Sequence, residues 1–420
     1  MIETISLRPG ITLRCCRDGR FKQGCLTVQF LRPMGREEAA LNALLPAVLL
    51  RGSRKHPDLR SITHALDDLY GASVSTMVRR IGDIQTVGLY CGFMEDRFAL
   101  PGDKVLEPML ALLEELLLDP ATANGAFLPD FVESEQRNLI ATVESELNNK
   151  QAYAMARMVR TMCAGDSFAV PRLGEKEDIA AITPMGLWQH YEKILATSPV
   201  EFFFVGSAEP AQVAALLEPL VSRLPQGERI RPEQRELQTA APSDFSESMD
   251  IAQGKLCMGF VSPITNRDPR FIPMQVLNTL FGGGMTSKLF QNVREKLSLC
   301  YSVGSSYHGS KGLVTVAAGI DFDKETAARE EILAQLAACK DGRISHTELT
   351  AAREALLSAL RASMDSPGAI ESYYSTAAIS GSGRSLETYM AAVEAVTLEQ
   401  VVEAAASLEL HTVFFLKGGV

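Results

Sequence analysis

The chain has 420 residues, of which 46% are hydrophobic and 22% charged, and its formal net charge is −10. That composition excludes a wholly disordered protein, and the negative balance argues against a general binder of phosphate backbones, so no nucleic-acid partner is expected. At about 150 residues per domain the length predicts two or three domains.

In chain order, residues 1–5 carry neither a basic n-region nor an apolar h-region, so no signal peptide is expected. Residues 26–31 alternate as a strand. The longest apolar run, residues 41–50, contains Pro46 and falls well short of the roughly 18 residues a membrane span needs. Leu59, Ile62, Leu66 and Leu69 form a helix stripe that starts after Pro57-Asp58. Residues 84–93 read as a second strand, and Val105, Leu106, Met109, Leu110, Leu113 and Leu117 as a helix that stops before Pro120. Adjacent strand pairs among irregularly spaced helices predict an α+β fold rather than a doubly wound sheet.

The chain contains itself twice. Ile182-Thr183-Pro184 opens a helical stretch through Leu187, His190, Tyr191 and Ile194, followed by the strand-like residues 200–206 ending in Gly206. Val396-Thr397-Leu398 opens the same sequence of helix, turn and strand, ending at Gly418. Thr183 and Thr397 are 214 residues apart, and the two glycines 212. Each unit reads as a Thr-capped helix, a short turn and a buried strand. Upstream, residues 66–74 resemble residues 296–303, each a helix running into a small-residue strand. So long a repeat is a duplicated domain. Residues 225–249, rich in Arg, Glu, Gln, Ser and Pro, read as an exposed linker, which places the halves at 1–224 and 250–420.

Few residues suggest chemistry. The six histidines, at positions 56, 64, 190, 308, 346 and 411, include no pair at i, i+4 able to face one zinc. The eight cysteines form no Cys-x-x-Cys pair and read as reduced thiols of the cytoplasm. Phe281-Gly282-Gly283-Gly284-Met285-Thr286-Ser287-Lys288 has its hydroxyls before the lysine, the reverse of a phosphate loop, and reads as a glycine turn with Thr286 or Ser287 capping the next helix. Arg294 and Tyr301 bracket the corner between that helix and a following strand, where a donor fork and a hydroxyl could share one rim. Spacing alone favours the plainer reading of a surface arginine and a half-buried core tyrosine. Cys300 reads as an inert buried thiol, His308 as a hairpin residue and His64 as solvated. These residues by themselves describe a duplicated α+β protein without a catalytic motif.

Residues 280–303, Leu-Phe-Gly-Gly-Gly-Met-Thr-Ser-Lys-Leu-Phe-Gln-Asn-Val-Arg-Glu-Lys-Leu-Ser-Leu-Cys-Tyr-Ser-Val, closely resemble the pitrilysin family, which includes insulinase and the mitochondrial processing peptidases. The family's second half carries Leu-Gly-Gly-Gly, Ser-x-Leu-Phe, Arg-Glu-Lys and Ala-Tyr-Ser. The half-length duplication extends the resemblance to nearly the whole chain. It implies two homologous α+β domains in tandem, forming half of a clamshell that closes around unfolded peptide. It also implies a first-half helix bearing His-x-x-Glu-His. Aligned on Gly52-Ser53, the first ligand becomes Ala43, the general base Pro46 and the second ligand Ala47. The third ligand, a downstream Glu, falls at Gln136 or Glu135.

Methyl groups do not ligate zinc, and proline does not deprotonate water. The resemblance therefore implies a non-catalytic member with no metal or cofactor of its own. Arg294 and Tyr301 match the family's substrate-contacting Arg and Tyr. The chain is expected to form a cytoplasmic dimer in which a zinc-bearing family subunit supplies the metal, this chain contacts unfolded peptide, and no membrane is involved. A scaffold or binding protein of the same fold, without proteolytic role, is the alternative. A third, weaker reading is a peptidase with ligands drawn from His56, His64 or Glu135.

Overall fold

A computed structural model describes residues 2–146 and 148–419; Met1, the first residue of the stretch read for a leader, lies outside them. It divides into two compact units. The first comprises residues 1–144, 170–234 and 364–379, and the second residues 145–169, 235–363 and 380–420. The expected boundaries at 224 and 250 assumed two continuous halves. Instead, each compact unit includes a short segment from the sequence of the other half.

In the first unit six of the described strands form one sheet in the order Ile2–Arg8, Ile11–Arg17, Val200–Gly206, Gln23–Pro33, Ile84–Met94, Ser73–Ile81, and Thr122–Ala123 pairs separately with Ala126–Phe127. In the second the described strands form a five-stranded sheet in the order Cys300–His308, Leu313–Ile320, Gly254–Val261, Glu409–Gly418, Ser243–Met249. Read from opposite ends, the two share one topology. A parallel pair, Ile11–Arg17 with Val200–Gly206, corresponds to Ser243–Met249 with Glu409–Gly418. Three antiparallel pairings then follow in the same order in each sheet. The duplication legible in the sequence is thus a duplication of strand order.

The matching caps form as expected. Thr183 accepts from the Gly186 N–H at the start of helix Pro184–Thr197, and Thr397 accepts from Gln400 at the start of Leu398–Ala406. Asp58 and Ser61 close a reciprocal capping box on Leu59–Asp67.

The apolar strands have a physical reason to be continuous rather than alternating. In Val200–Gly206, Phe202 and Phe204 join the main core with Leu13, Leu26, Leu44 and Leu113. Phe203 and Val205 point the other way, into a cluster with Cys16, Cys25 and Ile370. Ile370 belongs to helix Pro367–Ser380, the segment contributed by the second half of the sequence. In the second unit, helix Lys150–Met162 does the same, packing Ala154 and Met158 against Cys257, Phe414 and Leu416. Strands covered on both faces lose the alternation of a half-solvated sheet.

The expected linker ends earlier than its polar composition suggested. Residues 243–249 form an outer strand, with Phe245 facing Phe414 at 4.7 Å between ring centroids. Its alternate polar residues belong to a strand with one solvated face. Upstream, Arg229 donates to the carbonyls of Leu195 and Ser198, and Gln234 donates to Ile81 O while its Oε1 accepts from Asp83 N, fastening this stretch to the first unit.

Candidate functional site

The helix Arg36–Leu49 occupies the place where the family resemblance implies the metal. Ala43 and Pro46 are buried and Ala47 is half-buried. Pro46 sits inside the helix, where it withholds one N–H from the backbone ladder, and its ring faces an apolar space lined by Phe30, Val87, Leu89 and Tyr191. The polar side chain of this helix that is fully buried, Asn42, belongs to a structural relay. Asn42 Nδ2 donates to Gln85 Oε1 at 2.8 Å, and Gln85 Nε2 donates to the carbonyls of Arg172 and Ala39. That leaves Asn42 Oδ1 to accept from His190 Nε2 at 2.7 Å. Burial pushes the His190 imidazole down to about 4, so it is neutral here.

The two positions proposed for the third ligand are occupied with other work. Glu135 pairs with Arg51 at 3.3 Å. Gln136 Nε2 donates to Ile179 O and Ile182 O, clamping the turn after helix Lys176–Ala180. His56 Nδ1 faces Glu115 Oε1 at 2.8 Å, with Ser53 bonded to the same carboxylate, and His64 is exposed. Gly52, which anchors the alignment, has a structural reason to be glycine: a Cβ there would lie 2.6 Å from the Pro57 carbonyl oxygen. Among the described residues, no group of three or more His, Cys, Asp or Glu side chains is placed to hold a metal ion. The donor set at the implied metal position, two alanines and a proline, does not fit zinc.

The second unit carries a different arrangement. Ser287 Oγ accepts from the Phe290 N–H, capping the segment that follows the glycine turn, as its sequence predicts. That segment, Leu289–Lys296, is a π-helix, a rare form that occurs frequently at functional sites. Arg294 projects from it, with its guanidinium carbon 4.6 Å from the centroid of the Phe290 ring, while Glu295 stays 3.6 Å away. The chain then turns through Ser298, whose φ of 49° lies in the left-handed region. Strand Cys300–His308 begins immediately after, at the edge of the sheet.

Tyr301 is an extra residue in that strand. Cys300 pairs with Ile320 and Ser302 with Gly319, so the register shifts between them. Such a bulge re-aims the side chain it carries. Tyr301 is 60% exposed, and its hydroxyl donates to Asp321 Oδ1 at 2.9 Å. Arg294, Ser298, Tyr301 and Lys324 line one open cleft of about 410 Å³. The cleft brings together the arginine and the tyrosine that the sequence could only place at either end of a corner. The other sequence candidates stay apart from this chemistry. Cys300 is buried, which pushes its thiol up to about 11, and His308 stacks edge-on to Phe168 with Nε2 3.2 Å from Thr315 Oγ1. Asp321 and Lys324 were not found from sequence; they lie 20 and 23 residues beyond Tyr301 and carry no local signal.

Comparison with known proteins agrees with this architecture. Residues 181–356 match the family model described as the peptidase M16 inactive domain. Over 99% of its length, and 98% of the relative's, the chain is 29% identical to the probable inactive metalloprotease YmfF of Bacillus subtilis. A conserved protein from Enterococcus faecalis superposes with a TM-score of 0.91 at 27% identity, over 100% of this chain and 99% of that one. The peptidase M16 inactive domain from Pseudomonas fluorescens shares the fold, with a TM-score of 0.82 at 18% identity over 100% and 98%. The tandem α+β units therefore have the fold of M16, or pitrilysin-like, structures. The chain is similar to proteins of the peptidase M16 family, among them ones described as inactive.

Proposed function

We propose that the chain is the non-catalytic subunit of a two-chain zinc peptidase. It would line part of the peptide chamber while a zinc-bearing M16 subunit supplies the metal. One observation carries the reading: Arg294 and Tyr301 open on a single cleft of the second unit, whereas the first unit has alanine and proline where a metal site would stand. Only weakly engaged by Glu295, the Arg294 guanidinium has donors to offer a peptide carbonyl as negative charge develops on it. The eight cysteines are all buried as thiols, which supports a reducing compartment and the cytoplasm as the place of work. No helix among the described residues is long and apolar enough to cross a membrane.

The test is co-expression with a zinc-bearing M16 chain and assay of an unfolded peptide pool. The complex should hydrolyse peptide, and Arg294→Ala should lower turnover by about 100-fold, the scale of losing one transition-state donor. Full activity of the zinc-bearing chain alone would overturn the proposal. A stable complex that cleaves nothing and tolerates Arg294→Ala would identify a scaffold instead.

A further inference from the structure

The Tyr301 hydroxyl has one hydrogen and two acceptor sites, and its hydrogen is committed. It points to Asp321 Oδ1 at 2.9 Å. Asp321 is the first residue after strand Leu313–Ile320, directly beside the bulge that displaces Tyr301. Its second oxygen, Oδ2, lies 3.0 Å from Lys324 Nζ. The same ammonium donates to Ser298 O at 3.1 Å, on the left-handed turn that joins the Arg294 helix to the Tyr301 strand. One lysine therefore ties both ends of the cleft: the turn that sets Arg294, and the carboxylate that sets Tyr301.

We infer that Asp321 and Lys324 are positioning residues of this cleft, and that they fix the Tyr301 hydroxyl as an acceptor toward bound peptide. This rests on the peptide-contacting role proposed above and goes one step further. With its hydrogen held by Asp321, Tyr301 does not donate to a substrate carbonyl, and that donor role falls to Arg294 alone. The cleft then reads a whole peptide unit. The carbonyl faces the Arg294 fork, and the N–H donates to the Tyr301 oxygen. Asp321 in turn keeps Tyr301 protonated by raising its pKa through that same hydrogen bond, while Lys324 and Tyr301 hold the Asp321 carboxyl below its ordinary value.

The test is a backbone-ester scan of an unstructured 12-residue peptide. Binding is measured to the full chain, alone and paired with a zinc-bearing M16 chain stripped of metal. An ester removes one N–H donor without changing side chains. In the wild type, one ester position should weaken binding about fivefold, the scale of one lost hydrogen bond. Tyr301→Phe should abolish that penalty. Asp321→Ala should weaken binding of the parent peptide and shrink the penalty, and Asp321→Asn, which still accepts from the phenol, should restore most of both. In free protein with ¹³C-labelled tyrosine, Asp321→Ala should lower the pH at which Tyr301 ionises. An unchanged ionisation, or an ester penalty equal in wild type and Asp321→Ala, would overturn the inference. If Arg294→Ala weakens peptide binding while no ester position does, this inference fails and the proposed function stands. If the wild type binds no peptide, both fall.

Discussion

Buried and uncharged, His190 makes the stability of the first unit depend on pH in a way that can be worked out. Its pKa falls from an unfolded value of 6.5 to about 4, chiefly because burial penalises the cation. The folded state therefore resists a proton that the unfolded chain accepts. Stability from this group is fully present above pH 6.5, declines as pH falls through the interval, and is lost below about 4. A shift of this size is worth about 3 kcal/mol in full, and about 2 kcal/mol of it should disappear between pH 7.5 and pH 5. Glu38 nearby does not confuse the window. Burial works against its charge, but hydrogen bonds from Arg32 and Lys193 prevail and hold it at about 2. The single tryptophan supplies a local probe: Trp188 lies two residues from His190 on the same helix, packed edge-on to Phe127. Urea unfolding followed by its fluorescence should show the wild type losing about 2 kcal/mol more than His190→Gln over that pH step. Gln keeps a donor for Asn42 but has no proton to gain. Equal losses in the two proteins would refute the assignment of His190 as the buried neutral group.

Other substitutions have equally definite outcomes. Pro46→Ala should stabilise the first unit by about 1 kcal/mol: removing a helix-interior proline returns about 3 kcal/mol, less about 1.6 for two buried ring methylenes. Thermal unfolding would detect it, and a loss of stability would contradict the account of that helix. Gly88→Ala should cost about 3 kcal/mol or more, because a Cβ there would lie 1.7 Å from the Val28 carbonyl oxygen, with backbone on both sides of the clash; a soluble variant of wild-type stability would be the contrary result. Arg79→Ala should cost about 3 to 5 kcal/mol, since it strips the cation from Glu371, which is completely buried and also bonded by Gln29 and Thr27. Glu371→Gln should be far milder by urea denaturation, and equal losses would mean that the pair is not what matters there.

Much of the fold was legible because local chemistry and global arrangement agree. The Thr183 and Thr397 caps, the breaks at Pro57 and Pro120 and the Phe-rich strands each form where composition places them. The Phe-rich segments read as buried strands, but their burial on both faces, and what covers the second face, did not show in the sequence. That cover comes from residues 145–169 and 364–379, each grouped with the other half of the chain, and no local pattern encodes such an exchange. The strand Ser243–Met249 was hidden for a simpler reason: its half-exposed alternation places Ser, Asp and Glu where a linker would have them. At the site, the sequence supplied Arg294 and Tyr301 as a bare spacing, and the family resemblance supplied the reason to look. The bulge that aims Tyr301, and the Asp321 and Lys324 that restrain it, depend on pairing between strands. Such pairing is a long-range property that a short window does not carry.

Metal content and peptide hydrolysis of the purified chain, measured alone and after mixing with a zinc-bearing M16 partner, address the account most directly. The lone chain should retain no stoichiometric zinc and cleave nothing, while the mixture should cleave unfolded peptide and lose that activity with Arg294→Ala. Chelator-sensitive digestion by the lone chain would contradict it.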